Sequence, residues 1–244
     1  MTVVDIRNIV TDSNVELISI SPSTIYYAEE KQEEGHRSLF ILEYNRETSR
    51  ERIIANYFLT RPSFVQHYFD FPEEILIVME NGGSTVWLLS LDKATGEEKA
   101  LEEIHFVGGF FGCKALDERH VLFYTCENEK HREQFREYQR ATGLSQVACL
   151  YDLQEHRYVY VRDLRICGLE PENLIPYEAG GEKKLLILQP HGSEEEKEHC
   201  YRNRRWLGDG VEDVVWLCSV EKFLEGIRAG EARLPLQRVL SAGT

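Results

Sequence analysis

The sequence predicts an all-β fold of about four four-stranded sheets, with short helices carried in the loops between strands. Three observations point there. Most of the 244 residues fall into apolar runs of about five to eight residues, rich in Ile, Val, Leu, Phe and Tyr and punctuated by turn residues roughly every ten positions. The runs recur in a four-beat order. Within each group the middle runs are almost continuously apolar while the last one alternates. That is expected where inner strands are covered on both faces and an outer strand meets water.

The first group is Val15 to Ile20, Ile25-Tyr26-Tyr27, Leu39 to Asn45 and Arg52 to Phe58. The second is Phe64 to Phe71, Ile75 to Met79, Val86 to Asp92 and Lys99 to Phe106. The third is Gly109 to Ala115, His120 to Tyr124, Ala148 to Leu153 and Tyr158 to Ile166. The fourth is Asn173 to Tyr177, Lys184 to Leu188, Val215 to Glu221 and Leu234 to Leu240. The third run is the clearest beat, because an acidic or amide residue closes it each time. Ile41, Leu88, Leu150 and Leu217 occupy equivalent places, at spacings of 47, 62 and 67 residues.

These quartets, with turns such as Leu91-Asp92-Lys93-Ala94-Thr95-Gly96 closing the third strand, resemble β-propeller repeats with blades at 14–58, 64–106, 109–166 and 173–240. The resemblance implies an array of blades forming one domain over 1–244, with ligands held on one loop face. The first spacing fits a compact blade of roughly 40–50 residues, and the longer ones imply insertions. No Trp-Asp signature or kelch-type double glycine narrows it to one family. A two-sheet sandwich is the competing arrangement. Residues 1–13 read as a closing strand, since Val3 to Ile9 resembles Val161 to Ile166. Four blades and a spare strand imply a missing remainder, a dimeric ring or a miscounted blade.

The extra length lies between second and third strands. In the third group, Glu127 to Ser145 carries Glu129/Arg132, Glu133/Arg136 and Glu137/Arg140 at helical spacing. Phe135 and Tyr138 share a face that could dock the helix, and Gly143 offers a stop. In the fourth group, Ser193 and Glu196 form a capping box, so residues 194–205 read as a helix. Val220, Phe223, Leu224 and Ile227 make the stripe of a third. Arg136, Tyr138, Arg140, Tyr201, Arg204, Arg205 and Trp206 would then form an aromatic and cationic patch suited to an acidic peptide, a carboxylate or a phosphate.

A formal charge of −14 argues against neutralising nucleic-acid phosphates or an anionic membrane surface. No apolar run is long enough to span a bilayer, and Met1 to Arg7 lacks the basic-then-apolar order of a secretory signal. Six cysteines without a Cys-x-x-Cys pair point to reduced thiols in the cytoplasm. The groupings His120/Cys126/His131 and His191/His199/Cys200 lack four ligands at known spacing, so no metal or cofactor is expected. No nucleophile elbow, phosphate loop or zincin helix occurs. The expectation is therefore a cytoplasmic binding or scaffold module with a protein partner, self-association or a small anionic ligand. The alternatives are a hydrolase or lyase with a site in a central channel, at His67, Asp70, Cys113 and Tyr177, and a part of a larger propeller.

Overall fold

A computed structural model describes residues 14–33, 36–59, 64–81, 83–189 and 213–242. They form four antiparallel sheets of four strands, each a simple meander in chain order. Sheet 1 is β1 (Val15–Ile20), β2 (Thr24–Glu33), β3 (His36–Asn45) and β4 (Arg50–Leu59). Sheet 2 is β5 (Phe64–Asp70), β6 (Glu74–Glu80), β7 (Thr85–Asp92) and β8 (Glu98–His105). Sheet 3 is β9 (Gly109–Ala115), β10 (His120–Cys126), β11 (Gln146–Asp152) and β12 (Arg157–Tyr160). Sheet 4 is β13 (Leu174–Ala179), β14 (Glu182–Gln189), β15 (Asp213–Ser219) and β16 (Gln237–Ala242). The helices are α1 (Arg132–Thr142), α2 (Leu164–Cys167) and α3 (Val220–Ala229).

The chain divides into two compact units, Met1–His105 with sheets 1 and 2, and Phe106–Thr244 with sheets 3 and 4. In the first unit, Ala28, Leu39 and Ile41 of sheet 1 pack against Ile75, Ile77, Met79, Leu89 and Leu91 of sheet 2. In the second, Leu122, Tyr124, Ala148 and Leu150 of sheet 3 pack against Leu185, Ile187 and Cys218 of sheet 4, with Phe223 and Ile227 of α3. Burial of these side chains is the main stabilising term, about 1.5–3 kcal/mol for each large one. The opposite faces of β6, β7, β10 and β11 are buried too: Val78, Val86 and Phe123 are 0% exposed and Cys149 1%. Such two-sided burial explains why these strands lack strict alternation.

The acidic or amide residue that closes the third strand has a specific task. Asn45, Asp92 and Asp152 each accept, through Oδ1, the backbone N–H groups two and three residues on, at 2.8 to 3.1 Å. This satisfies N–H groups that the tight connection would otherwise orphan. Four residues after each comes a left-handed residue: Ser49, Gly96 and His156 at φ 53°, 75° and 51°. One residue after each capping side chain, the N–H of Arg46, Lys93 and Leu153 bonds to the carbonyl of Ser23, Glu73 and Arg119 in the first turn of the same sheet. In sheet 4 the same device starts a helix. Ser219 Oγ accepts the N–H of Lys222 at the N-cap of α3.

Two expectations change in detail. The outer strand read as Tyr158 to Ile166 ends at Tyr160. Asp163 then caps α2 by accepting the N–H of Arg165 at 3.0 Å and also takes the N–H of Leu234 at 2.7 Å. That bonding turns the backbone out of the sheet, so the likeness between 3–9 and 161–166 is not one of strand to strand. The third strand of sheet 4 stops at Ser219, because Val220 already begins α3. The closing strand at 1–13 and the helix at 194–205 lie outside the described residues.

Candidate functional site

The sheet 3 insertion builds a helix, and its burial pattern fixes which face is free. Phe135 is 3% exposed and Tyr138 is half-buried against the core of the second unit. Gly108 makes room: at φ +102°, an added Cβ there would lie 2.6 Å from the Phe135 ring and from the carbonyl oxygen of Cys126. Its N–H donates to His131 Nδ1 at 3.1 Å, at the start of α1. Gly143, left-handed at φ 79°, returns its N–H to Gln139 and ends the helix. Burial raises the Tyr138 hydroxyl well above the usual phenol range, reinforced by Cys167 nearby. Its ring is therefore an anchor.

Arg136 and Arg140 lie one turn apart on the exposed face of α1. They make no ion pair with Glu133 or Glu137, and neither has a partner among the described residues. Arg132 instead pairs with Glu127 at 3.3 Å. Two unneutralised guanidiniums about 6 Å apart at Cβ on an acidic protein can bind a carboxylate or phosphate through forked hydrogen bonds. Of the sequence-derived patch, the structure thus places Arg136 and Arg140 together and turns Tyr138 the other way. Tyr201, Arg204, Arg205 and Trp206 lie outside the described residues.

At the other end of sheet 3 is a charged cluster that the sequence reading did not assemble. Arg119 holds Asp152 with two bonds, Nε to Oδ1 at 2.8 Å and Nη2 to Oδ2 at 2.6 Å, and also reaches Glu155 at 2.9 Å. His120, 5% exposed, lies beside Asp117 with Nδ1 2.8 Å from Oδ1. Arg228, in the last turn of α3, approaches His120 Nε2 at 2.6 Å. A guanidinium only donates, so Nε2 must accept and Nδ1 carries the proton toward Asp117. Burial would raise the Asp152 carboxyl, but Arg119 and the N–H groups of Glu155 and Gln154 outweigh it and hold it well below the usual range. The signal in the sequence was Asp117-x-x-His120 beside a turn-capping Asp152, and Arg228 is distant along the chain.

Of the channel candidates, His67 and Asp70 lie in the first unit and Cys113 and Tyr177 in the second. Asp70 accepts from Ser19 at 2.5 Å and pairs with Lys93. His67 stacks on Phe69, with centroids 6.3 Å apart. Cys113 is buried, which pushes its thiol well above the normal range and away from nucleophilic use. Tyr177 is 39% exposed on sheet 4. Among the described residues no group of three His, Cys, Asp or Glu side chains could hold a metal ion. No described helix is long and apolar enough to cross a membrane.

Fold and site together define an all-β protein of four four-stranded meander sheets with an exposed cationic helix. No protein-family model and no curated protein matches the chain. Among solved structures, it is similar to the uncharacterised protein lmo1340 of Listeria monocytogenes EGD-e. The identity is 11%, the TM-score 0.51, and the match covers 91% of this chain and 51% of that one. A Synechocystis apocarotenoid oxygenase matches at 8% identity and TM-score 0.40, over 90% of this chain and 47% of that one. The AtxE2 isopeptidase matches at 9% and 0.44, over 92% and 36%. The chain spans about half the length of the first two. The Listeria likeness bears on fold alone.

Proposed function

We propose that the protein is a non-catalytic, propeller-type binding module whose sheets pack radially and whose α1 end holds an acidic peptide or small anion. The observation that carries the ligand assignment is the Arg136/Arg140 pair, exposed and unneutralised on a helix anchored by Phe135. Radial packing is supported by the two-sided burial of β6, β7, β10 and β11. Cys113, Cys149, Cys167 and Cys218 are buried thiols outside any disulfide, which supports a reducing, cytoplasmic setting. The test is fluorescence anisotropy of a labelled Glu-rich peptide, with inorganic phosphate as competitor. Arg136→Glu with Arg140→Glu should weaken binding at least about tenfold and flatten its salt dependence. Unchanged affinity overturns the assignment. Both residues are exposed, so a folding defect is not expected.

A further inference from the structure

Where the last turn of α3 meets the end of sheet 3, within the second unit, one buried imidazole holds two partners of opposite charge. Nδ1 of His120 lies 2.8 Å from Oδ1 and 2.9 Å from Oδ2 of Asp117, in the turn between β9 and β10. Nε2 lies 2.6 Å from Nη2 of Arg228. A second carboxylate stands close by. Asp152 Oδ2, at the end of β11, is 3.6 Å from Nε2 and 3.4 Å from Arg228 Nη2. Arg119 holds Asp152 by two bonds and also reaches Glu155. Glu155 and His156, in the turn after β11, are exposed.

Formal charge around the imidazole balances in one protonation state only. With His120 neutral, the carboxylates of Asp117 and Asp152 match the guanidiniums of Arg119 and Arg228. A proton on Nε2 adds an unmatched positive charge at a buried place, and sets an N–H against a guanidinium that only donates. Arg119 is tied to Asp152 and Glu155, whereas the Arg228 side chain is 41% exposed and reaches the cluster through Nη2. Departure of Arg228 restores the balance. The imidazolium then donates from Nδ1 to Asp117 and from Nε2 to Asp152, which must come about 0.7 Å closer to reach hydrogen-bond distance. Both arrangements leave each imidazole nitrogen paired, as a two-state element requires.

The geometry points to a proton-operated clasp. Neutral His120 holds Arg228 and pins the last turn of α3 to sheet 3, and protonated His120 takes Asp152 instead and lets that turn go. Both carboxylates stay ionised over the neutral and mildly acid range. Burial would raise Asp117 and Asp152, but His120 lowers the first and Arg119 the second, each helped by backbone N–H groups, and both end below the usual range. His120 is therefore the member of the cluster left to change charge there. The released state binds one proton more than the clasped state, so falling pH favours release, by at most about tenfold for each pH unit. Val220, Phe223 and Leu224 remain anchored in the core, which confines the movement to the end of α3 and to the connection that follows Gly230.

Hydrogen exchange resolved along α3, with proton–nitrogen NMR of the imidazoles, tests this on the native chain between about pH 7.5 and 5.5. At the upper pH, Nε2 of His120 should be bare and the amides of residues 226–229 protected. At the lower pH, Nε2 should carry a proton, and protection of those amides, corrected for intrinsic exchange, should fall at least about tenfold. Protection of β14 should stay constant. His120→Gln, which accepts from Arg228 without titrating, should keep the last turn protected at both pH values. Arg228→Gln should lower its protection at the upper pH and abolish the fall on acidification. A doubly protonated His120 at the upper pH overturns the inference. So does a His120 still neutral at the lower pH, protection that holds steady while Nε2 gains its proton, or an unchanged pH response in either variant. Should His120→Gln fail to fold, the native titration and Arg228→Gln, a change at a partly exposed side chain, decide the matter.

Discussion

At the end of β7, Asp92 accepts two turn N–H groups and its carboxylate faces Lys99 at 3.3 Å, with 25% of the side chain exposed. At the end of β11, Asp152 makes the same two backbone bonds, but its side chain is 9% exposed and lies among Arg119, Arg228 and His120. Both carboxyls are held below their ordinary range, Asp92 chiefly by the backbone N–H of Thr95 and Asp152 by Arg119 working against burial. One turn geometry therefore serves two purposes. In sheet 2 it ends a strand in water. In sheet 3 it fastens α3 to a sheet. The lesson is that burial, not hydrogen-bond pattern, decides how much a repeated polar residue matters.

The largest expected effect is at the deepest charge pair. Asp163 and Arg165 are 3% and 4% exposed and 2.6 Å apart, and both bond to Leu234. Asp163→Ala would remove the carboxylate that holds this buried guanidinium and the N-cap of α2 together, so unfolding free energy should fall by about 3–5 kcal/mol. Urea denaturation measures this, and a loss under about 1 kcal/mol would break the link between burial and cost. Next comes the left-handed turn residue. At Gly96 a Cβ would lie 1.8 Å from the carbonyl oxygen of Ile54, so Gly96→Ala should cost about 2 kcal/mol or more. His156 holds the same conformation with a side chain, so it is the clash at Gly96, not the left-handed backbone alone, that demands glycine there.

The smallest effect is the most diagnostic. The Asp152 carboxyl is depressed in the folded state, so its stabilisation is full above its unfolded value near 3.9 and is lost as pH falls through that region and below. Asp152→Asn should cost about 1.5 kcal/mol at neutral pH. It should also flatten the acid limb of the stability curve. Asp92→Asn should give a smaller loss at neutral pH. An equal loss for the two variants would mean the cluster around His120 is worth no more than an exposed turn.

The strand quartets were legible because two-sided burial leaves continuous apolar runs, and the closing residue of the third run stood out because Asn45, Asp92 and Asp152 share one bonding task. The helices α1 and α3 were legible from spacing, since Phe135 and Phe223 anchor them as the periodicity required. What sequence reasoning missed was non-local. Arg228 and His120 are 108 positions apart, and nothing near either announces the other. The end of β12 was misplaced because Val161 to Ile166 alternates like a strand, while Asp163 finds better partners in Arg165 and Leu234. Tyr138 was counted both as an anchor and as a ligand contact, and its half-buried ring supports the former.

The thiols offer a separate use. All six cysteines fall at position 113 or later, so the first unit contains none. Cys113, Cys149, Cys167 and Cys218 are buried, and burial raises each thiol above its normal range. Alkylating reagents should therefore modify these four only when the second unit opens, with the first staying silent. Pulse labelling set against a whole-molecule probe such as circular dichroism would reveal whether the halves melt together or in succession.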